Sequence, residues 1–267
     1  MNWITATIYG IIQGLTEFLP VSSSGHLALL PKIMEFKDPG VLFDLSMHVG
    51  TAVAIIVYFH KDLLMMTKNL LSILTERRIT EQSSYPVNVI ISTVATLILV
   101  LLIKGPAMKF GRTPSMIGIN LIAFGILMFI SDFRGTKVDT DYMYTKVRPG
   151  KALMIGLFQA IAIFPGVSRS GSTLTISRFM GLSRTESTRY SFLLSLPIII
   201  GGFILKLPEM MNGEQSFDLA PCLVGGLISF IVGFITIHYF LKLIQKLGLA
   251  VFAFYRVILG ALIFWIL

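Results

Sequence analysis

Apolar residues run through this chain in long blocks, and the polar residues gather in the gaps. A helix needs about 20 mostly apolar residues to cross a bilayer. Six blocks reach that length, at roughly 41–60, 86–104, 114–132, 187–206, 220–241 and 249–267. Two other apolar stretches are interrupted. Residues 3–19 run into Leu19-Pro20-Val21-Ser22-Ser23-Ser24-Gly25, followed by a short apolar arm to Phe36. Residues 151–164 run into Pro165-Gly166-Val167-Ser168-Arg169-Ser170-Gly171 and a second short arm. Pro, Gly and consecutive Ser end a helix, so each stretch predicts helix, turn, helix. Broken backbone is tolerated at membrane depth only where protein or a wet cavity surrounds it. The short second arms favour re-entrant hairpins over kinked full spans.

The two interrupted stretches repeat each other. An offset of 146 pairs Gln13 with Gln159, Phe18 with Phe164, Val21 with Val167, Ser22 with Ser168, Ser24 with Ser170 and Gly25 with Gly171. Each copy is followed by three spans. An odd number of crossings inverts the second copy, so the two broken elements are expected to meet near the midplane from opposite faces.

Composition agrees with a membrane protein. Of the 267 residues, 54% are hydrophobic and 13% charged, about half the ~25% of a soluble domain. Mean hydropathy is +0.80. These values exclude an ordinary cytoplasmic enzyme and a disordered chain, and the single Cys222 excludes a disulfide scaffold. No Lys or Arg precedes the first apolar run, which argues against a cleaved signal peptide. The net charge of +8 is read as basic cytoplasmic loops rather than nucleic-acid binding. The loops at 61–85, 133–151, 178–189 and 242–248 hold 14 Lys and Arg; the other side holds Lys32, Lys37, Lys104, Lys109, Arg112 and Lys206. The first group is therefore placed in the cytoplasm and both termini outside. Residues 61–84 are expected to lie on the inner surface as an amphipathic helix. The expected fold is all-α: one integral membrane domain, 1–267, of six spans and two re-entrant hairpins. Its inverted repeats, 1–132 and 151–267, are joined by a cytoplasmic loop at 133–150.

Polar groups inside a membrane are costly and are candidates for function. The first hairpin carries Gln13, Glu17, Ser22, Ser23, Ser24 and His26; the second carries Ser168, Arg169, Ser170, Ser172 and Thr173. Gln13 and Glu17 share a helix face. The copies differ where chemistry would differ: Glu17 aligns with Ile163, Ser23 with Arg169 and His26 with Ser172. If the tips meet, they form one composite site. Amides at a Gly- and Ser-rich break favour anions, phosphate above all. Ser22, Ser24, Ser168, Ser170 and Thr173 are thus candidate phosphate ligands, and Arg169 offers a planar fork. A lone Glu would repel phosphate unless a divalent cation such as Mg²⁺ stood between them. Ser or His beside the phosphorus can act as nucleophile. A Ser- and Gly-rich break is also a helix-packing device or a transporter gate. Asp44 and His48, four apart, either line the pocket mouth or bond each other. Arg256 is expected to snorkel to the inner surface.

Gln13-Gly14-Leu15-Thr16-Glu17-Phe18-Leu19-Pro20-Val21-Ser22-Ser23-Ser24-Gly25-His26-Leu27 resembles the first motif of the bacterial undecaprenyl-diphosphate phosphatases, the bacitracin-resistance family. Pro165-Gly166-Val167-Ser168-Arg169-Ser170-Gly171-Ser172-Thr173 resembles the second. The resemblance spans the chain, with Tyr190-Ser191-Phe192-Leu193-Leu194 and Tyr255-Arg256 also matching. It implies removal of the terminal phosphate of undecaprenyl diphosphate, recycling the lipid carrier of peptidoglycan synthesis. It also implies a divalent cation, Mg²⁺ or Ca²⁺, a place in the bacterial cytoplasmic membrane and a site open to the periplasm. By that resemblance Gln13 and Glu17 are linked to metal and substrate. Ser23 and His26 are the two nucleophile candidates, Arg169 binds phosphate, and Ser168 and Thr173 neighbour it. Gln13 stands where many members have Glu, which leaves Glu17 as the principal carboxylate and weakens the case for a metal contact at Gln13. The partners expected are the polyprenyl diphosphate and the bilayer, with a homodimer left open. The competing reading is a transporter of the lipid carrier, since inverted repeats with broken helices suit alternating access. A type-2 phosphatidic acid phosphatase is disfavoured, because after Ser168-Arg169 the next His is His238.

Overall fold

The structure, a computed structural model, describes residues 3–34, 40–110, 113–136, 147–211 and 219–266. Phe36, Lys37, Arg112, Leu267 and positions 137–146 of the expected cytoplasmic loop lie outside them. Among the described residues eleven α-helices occur in the order α1 Trp3–Thr16, α2 Ser23–Ile33, α3 Val41–Tyr58, α4 His60–Glu76, α5 Glu81–Phe110, α6 Pro114–Asp132, α7 Pro149–Ala160, α8 Arg169–Phe179, α9 Arg184–Met211, α10 Leu219–Leu247 and α11 Ala250–Ile266. A 3₁₀ turn, Ile161–Ile163, prolongs α7. The chain is an all-α, multi-pass membrane protein.

Four helices, α5, α6, α9 and α10, are individually long and apolar enough to cross a bilayer. The block at 41–60 differs from expectation: α3 stops at Tyr58 and the chain bends by 78° into α4, so the two reach that length only together. The block at 249–267 forms α11, a shorter apolar helix. The amphipathic helix expected over 61–84 is α4, which ends at Glu76 and has no buried residue; α5 begins at Glu81. Both interrupted stretches fold as helix, turn, helix, as the Pro, Gly and Ser runs predict.

Small residues let helices approach closely where no apolar driving force operates between them. α1 lies along α10, and α7 lies along α5. A Cβ on Gly10 would come within 2.5 Å of the Gly225 carbonyl oxygen, and one on Gly156 within 2.3 Å of that of Ser92. Gly10 and Gly156 are 146 apart, and each sets its hairpin against a long helix from the opposite half. A polar stripe on α5 completes the second contact. Asn88 donates its amide to the Val147 carbonyl. Ser92 donates to that of Ala152 at 2.7 Å and Thr96 to that of Gly156 at 2.8 Å. An apolar core including Phe18, Phe59, Phe192 and Phe240 fills the centre, with Phe18 edge-on to Phe192 at 5.2 Å.

The expected loop at 178–189 shrinks to 180–183, and two of its basic residues are tied into the fold, Arg178 without solvent exposure and Arg184 with 23%. Arg178 lies in the last turn of α8 and is fully buried; Arg184 begins α9. Arg178 donates to Asp132 Oδ1 at 3.2 Å and to the carbonyls of Asp132, Gly135, Thr136 and Leu182. Arg184 holds both Asp132 oxygens, at 2.9 and 2.7 Å, and the Leu249 amide donates to Oδ2 at 3.1 Å. One carboxylate thus ties the ends of α6 and α8 to the starts of α9 and α11.

Candidate active site

Each hairpin turns through a serine at positive φ: Ser22 at 75° and Ser168 at 72°. Non-glycine residues adopt such angles at a cost of about 1–3 kcal/mol. Capping bonds offset it. Ser22 Oγ accepts from the Gly25 amide at 3.3 Å, and Ser168 Oγ from the Gly171 amide at 3.0 Å. Between them, Gly166 has φ +90°, and a Cβ there would meet the Ile117 carbonyl oxygen at 2.5 Å, so only glycine fits. The turns touch. The Gly166 amide donates to Ser22 Oγ at 3.1 Å, and Ser170 Oγ donates to the Leu19 carbonyl at 3.1 Å.

This apposition brings an acid and a guanidinium together from opposite halves. Glu17 follows α1 and is 5% exposed; Arg169 begins α8 and is 14% exposed. Arg169 Nη2 lies 2.6 Å from Glu17 Oε1. The other carboxylate oxygen, Oε2, accepts from Ser23 Oγ at 2.7 Å and Gln13 Nε2 at 3.0 Å. Gln13 Nε2 also lies 2.8 Å from His48 Nδ1. His48 Nδ1 is 3.5 Å from Glu17 Oε2, and its side chain is 28% exposed. Gln13, Glu17, Ser23, His48 and Arg169 therefore form one cluster.

The remaining candidates stand around it. Ser22 and Ser168 spend their hydroxyls on caps, and each lies within 3.4 Å of the hydroxyl two residues on, Ser24 or Ser170. Thr173 is buried and bonds Ser191 Oγ at 2.5 Å. Asp44 is half-buried one helical turn from His48 on α3. His26 points away from the carboxylate: Nδ1 bonds the Ser22 carbonyl at 2.8 Å and Nε2 bonds the Tyr255 hydroxyl at 2.7 Å. A carbonyl only accepts, so Nδ1 carries the proton and Nε2 accepts from Tyr255. Gln159, the counterpart of Gln13, bonds Thr96 Oγ1 at 2.8 Å, and Ile163 replaces the acid, so the second half offers no equivalent cluster.

Three contributors are not among the site residues that the sequence singles out. Ser191 accepts from Arg169 Nη1 through its carbonyl at 3.4 Å, and Asn120 Nδ2 holds the Pro165 carbonyl at 2.9 Å. Arg256 corrects the snorkelling expectation: it is 0% exposed and donates to carbonyls of both turns. The missed signal was a cation inside an apolar helix with no acid near it in sequence.

The site offers oxygen donors of the type a hard divalent cation takes. Gln13 Oε1 is buried without a hydrogen-bond partner, an oxygen beside a carboxylate. Among the described residues no three His, Cys, Asp or Glu side chains cluster. A cation here would hold few protein ligands and complete its shell from phosphate oxygens and water, the habit of Mg²⁺.

The family described as bacitracin resistance protein BacA matches residues 6–262. The undecaprenyl-diphosphatase of Geobacter metallireducens is 39% identical over 264 residues, covering 98% of this chain and 97% of that protein. That of Alcanivorax borkumensis is 34% identical over 267 residues, the whole of both chains. Undecaprenyl-diphosphatase 2 of Stutzerimonas stutzeri is 38% identical over 263 residues, covering 98% of this chain and 97% of that one.

Proposed function

The chain belongs to the bacitracin resistance protein BacA family, and from that membership we propose that it is an undecaprenyl-diphosphatase acting through the Glu17–Ser23–Arg169 cluster. The observation that carries the mechanism is the meeting of one acid, one hydroxyl and one guanidinium at 2.6 and 2.7 Å. Arg169 exchanges Glu17 for the phosphoryl oxygens when the diphosphate enters, since its fork matches them. Ser23 is the nucleophile and Glu17 its general base, a role worth about 10²–10⁴-fold. The Ser23 Oγ–phosphorus bond forms as the bond to the bridging oxygen breaks. The Ser23 proton passes to Glu17 and then to the departing lipid phosphate, which leaves with the electron pair. Water then attacks phosphorus, giving a proton to Glu17, as the Ser23 Oγ–phosphorus bond breaks; Glu17 returns that proton to Ser23 Oγ and inorganic phosphate departs. Glu17 and Gln13 Oε1 would hold the divalent cation, which supplies neutralising charge to the diphosphate. His26, with Nε2 engaged by Tyr255, supports the Ser22 turn rather than attacking.

We read the hairpins as re-entrant loops of an inverted repeat, in the bacterial cytoplasmic membrane, with termini outside and the site toward the periplasm. The charge asymmetry of the loops and the reciprocal packing of α1 on α10 and α7 on α5 support this. The same reciprocity is what a carrier of the lipid would use, so hydrolysis and translocation are separated by assay. Purified protein in detergent should release phosphate from undecaprenyl diphosphate, and a chelator, Glu17→Ala, Arg169→Ala and Ser23→Ala should each lower release by about 10²-fold or more. Activity indifferent to chelation and to Arg169→Ala would reject the mechanism. Head-group translocation in proteoliposomes without hydrolysis would favour the carrier.

A further inference from the structure

Arg256 is a fully buried cation in the middle of an apolar helix, and its four hydrogen bonds all go to backbone carbonyls. Nη1 donates to Pro20 at 3.2 Å, Nη2 to Gly166 and Val167 at 2.8 Å each, and Nε to Leu121 at 3.4 Å. One guanidinium therefore spans the first turn, the second turn and α6. It lies in a fitted slot: a Cβ on Gly171 would come within 2.6 Å of Nη1. A charge placed so deep has a large desolvation cost, and a packing role would be met by an apolar side chain. What this side chain does that an apolar one cannot is bond several carbonyls in fixed directions at once.

Those carbonyls stand next to the reacting residues. Pro20 is three residues before Ser23, and Val167 is two before Arg169. Ser23 and Arg169 are the first residues of α2 and α8, so small shifts of either turn are passed to them undamped. Gly166 is held at both ends of its peptides: its amide by Ser22 Oγ from the first turn and its carbonyl by Arg256. We propose that Arg256 is a positioning residue that locks the two turns in register, so that Ser23 and Arg169 reach the same Glu17 carboxylate. The placement of Ser23 and Arg169 as reacting groups rests on the diphosphatase reading; the locking of the turns does not.

The test compares Arg256→Lys and Arg256→Met with wild type. An ammonium keeps the charge but cannot reach carbonyls in three elements. A misplacement near 1 Å costs on the order of 100-fold in rate. In Arg256→Met, kcat per folded molecule should fall about that much with KM within about threefold, and Arg256→Lys should recover less than about tenfold. Ser22→Ala removes the other tie on Gly166, so its loss should not multiply with that of Arg256→Met. Hydrogen exchange is the measurement independent of activity: segments 17–26 and 164–172 should exchange faster together in Arg256→Lys, with α4 unchanged. Wild-type kcat in Arg256→Lys, multiplying losses in the double variant, or faster exchange in one turn or neither would overturn the proposal. If Arg256→Met yields no folded protein, Arg256→Lys decides by both readouts. A wild-type protein that releases no phosphate would refute the diphosphatase reading alone, and exchange would still decide the locking.

Discussion

Removing the two partners of the central ion pair singly and together should separate stability from activity. Arg169→Met leaves Glu17, 5% exposed, with a charge that Ser23 and Gln13 only partly satisfy. Breaking a buried pair by removing one partner costs about 3–5 kcal/mol. His48 beside the pair is 28% exposed, which places this pair at the lower end, about 3 kcal/mol. At roughly 2–4 °C per kcal/mol for a chain of this size, the thermal midpoint should drop by about 6–12 °C. Glu17→Gln leaves a guanidinium that is 14% exposed and closer to water, so it should cost less. The double variant Glu17→Gln/Arg169→Met is neutral and should recover most of the lost stability. It should remain inactive, because both the base and the phosphate fork are gone. The assay is a thermal scan at fixed rate in one detergent, paired with phosphate release at a temperature where all variants are folded. Additive destabilisation in the double variant, or measurable turnover by it, would refute the pairing or its role.

Ser23→Ala should lower turnover by about 10²–10⁴-fold and leave the midpoint nearly unchanged, while His26→Ala should lose less; a reversed order in the same assay would transfer the nucleophile to His26. Tyr255→Phe keeps the ring stacked on His26 and removes one hydrogen bond, so it should cost about 1 kcal/mol in thermal denaturation. Gly156→Ala forces a methyl within 2.3 Å of the Ser92 carbonyl oxygen and should destabilise by about 1–3 kcal/mol, whereas a neutral result would mean α7 and α5 have room to part. Asp132→Asn strips the carboxylate from the fully buried Arg178 and should cost about 3–5 kcal/mol with phosphate release per folded molecule intact.

Much of the architecture was legible because it follows from local pattern. Block lengths of apolar residues gave α5, α6, α9 and α10, and Pro, Gly and Ser runs gave both broken hairpins. The 146-residue offset singled out Ser22 and Ser168, which share a positive φ, and the unmatched positions singled out Glu17, Ser23 and Arg169, which meet. Where solvent exposure had to be guessed, the pattern misled. Position along the chain reads Arg178 and Arg184 as loop charges and Arg256 as a snorkelling one, yet backbone carbonyls and Asp132 receive them.

The linear chain by itself determined which residues carry charge, where helices must stop and which two segments copy each other, because these depend on neighbours a few positions away. Only the tertiary structure decided that Glu17 pairs with Arg169 across 152 positions, that Ser23 rather than His26 touches the carboxylate, and that Arg256 grips both turns. The reason is that a hydrogen bond acts over about 3 Å, and what lies within 3 Å of a side chain in a folded bundle is set by how distant helices pack.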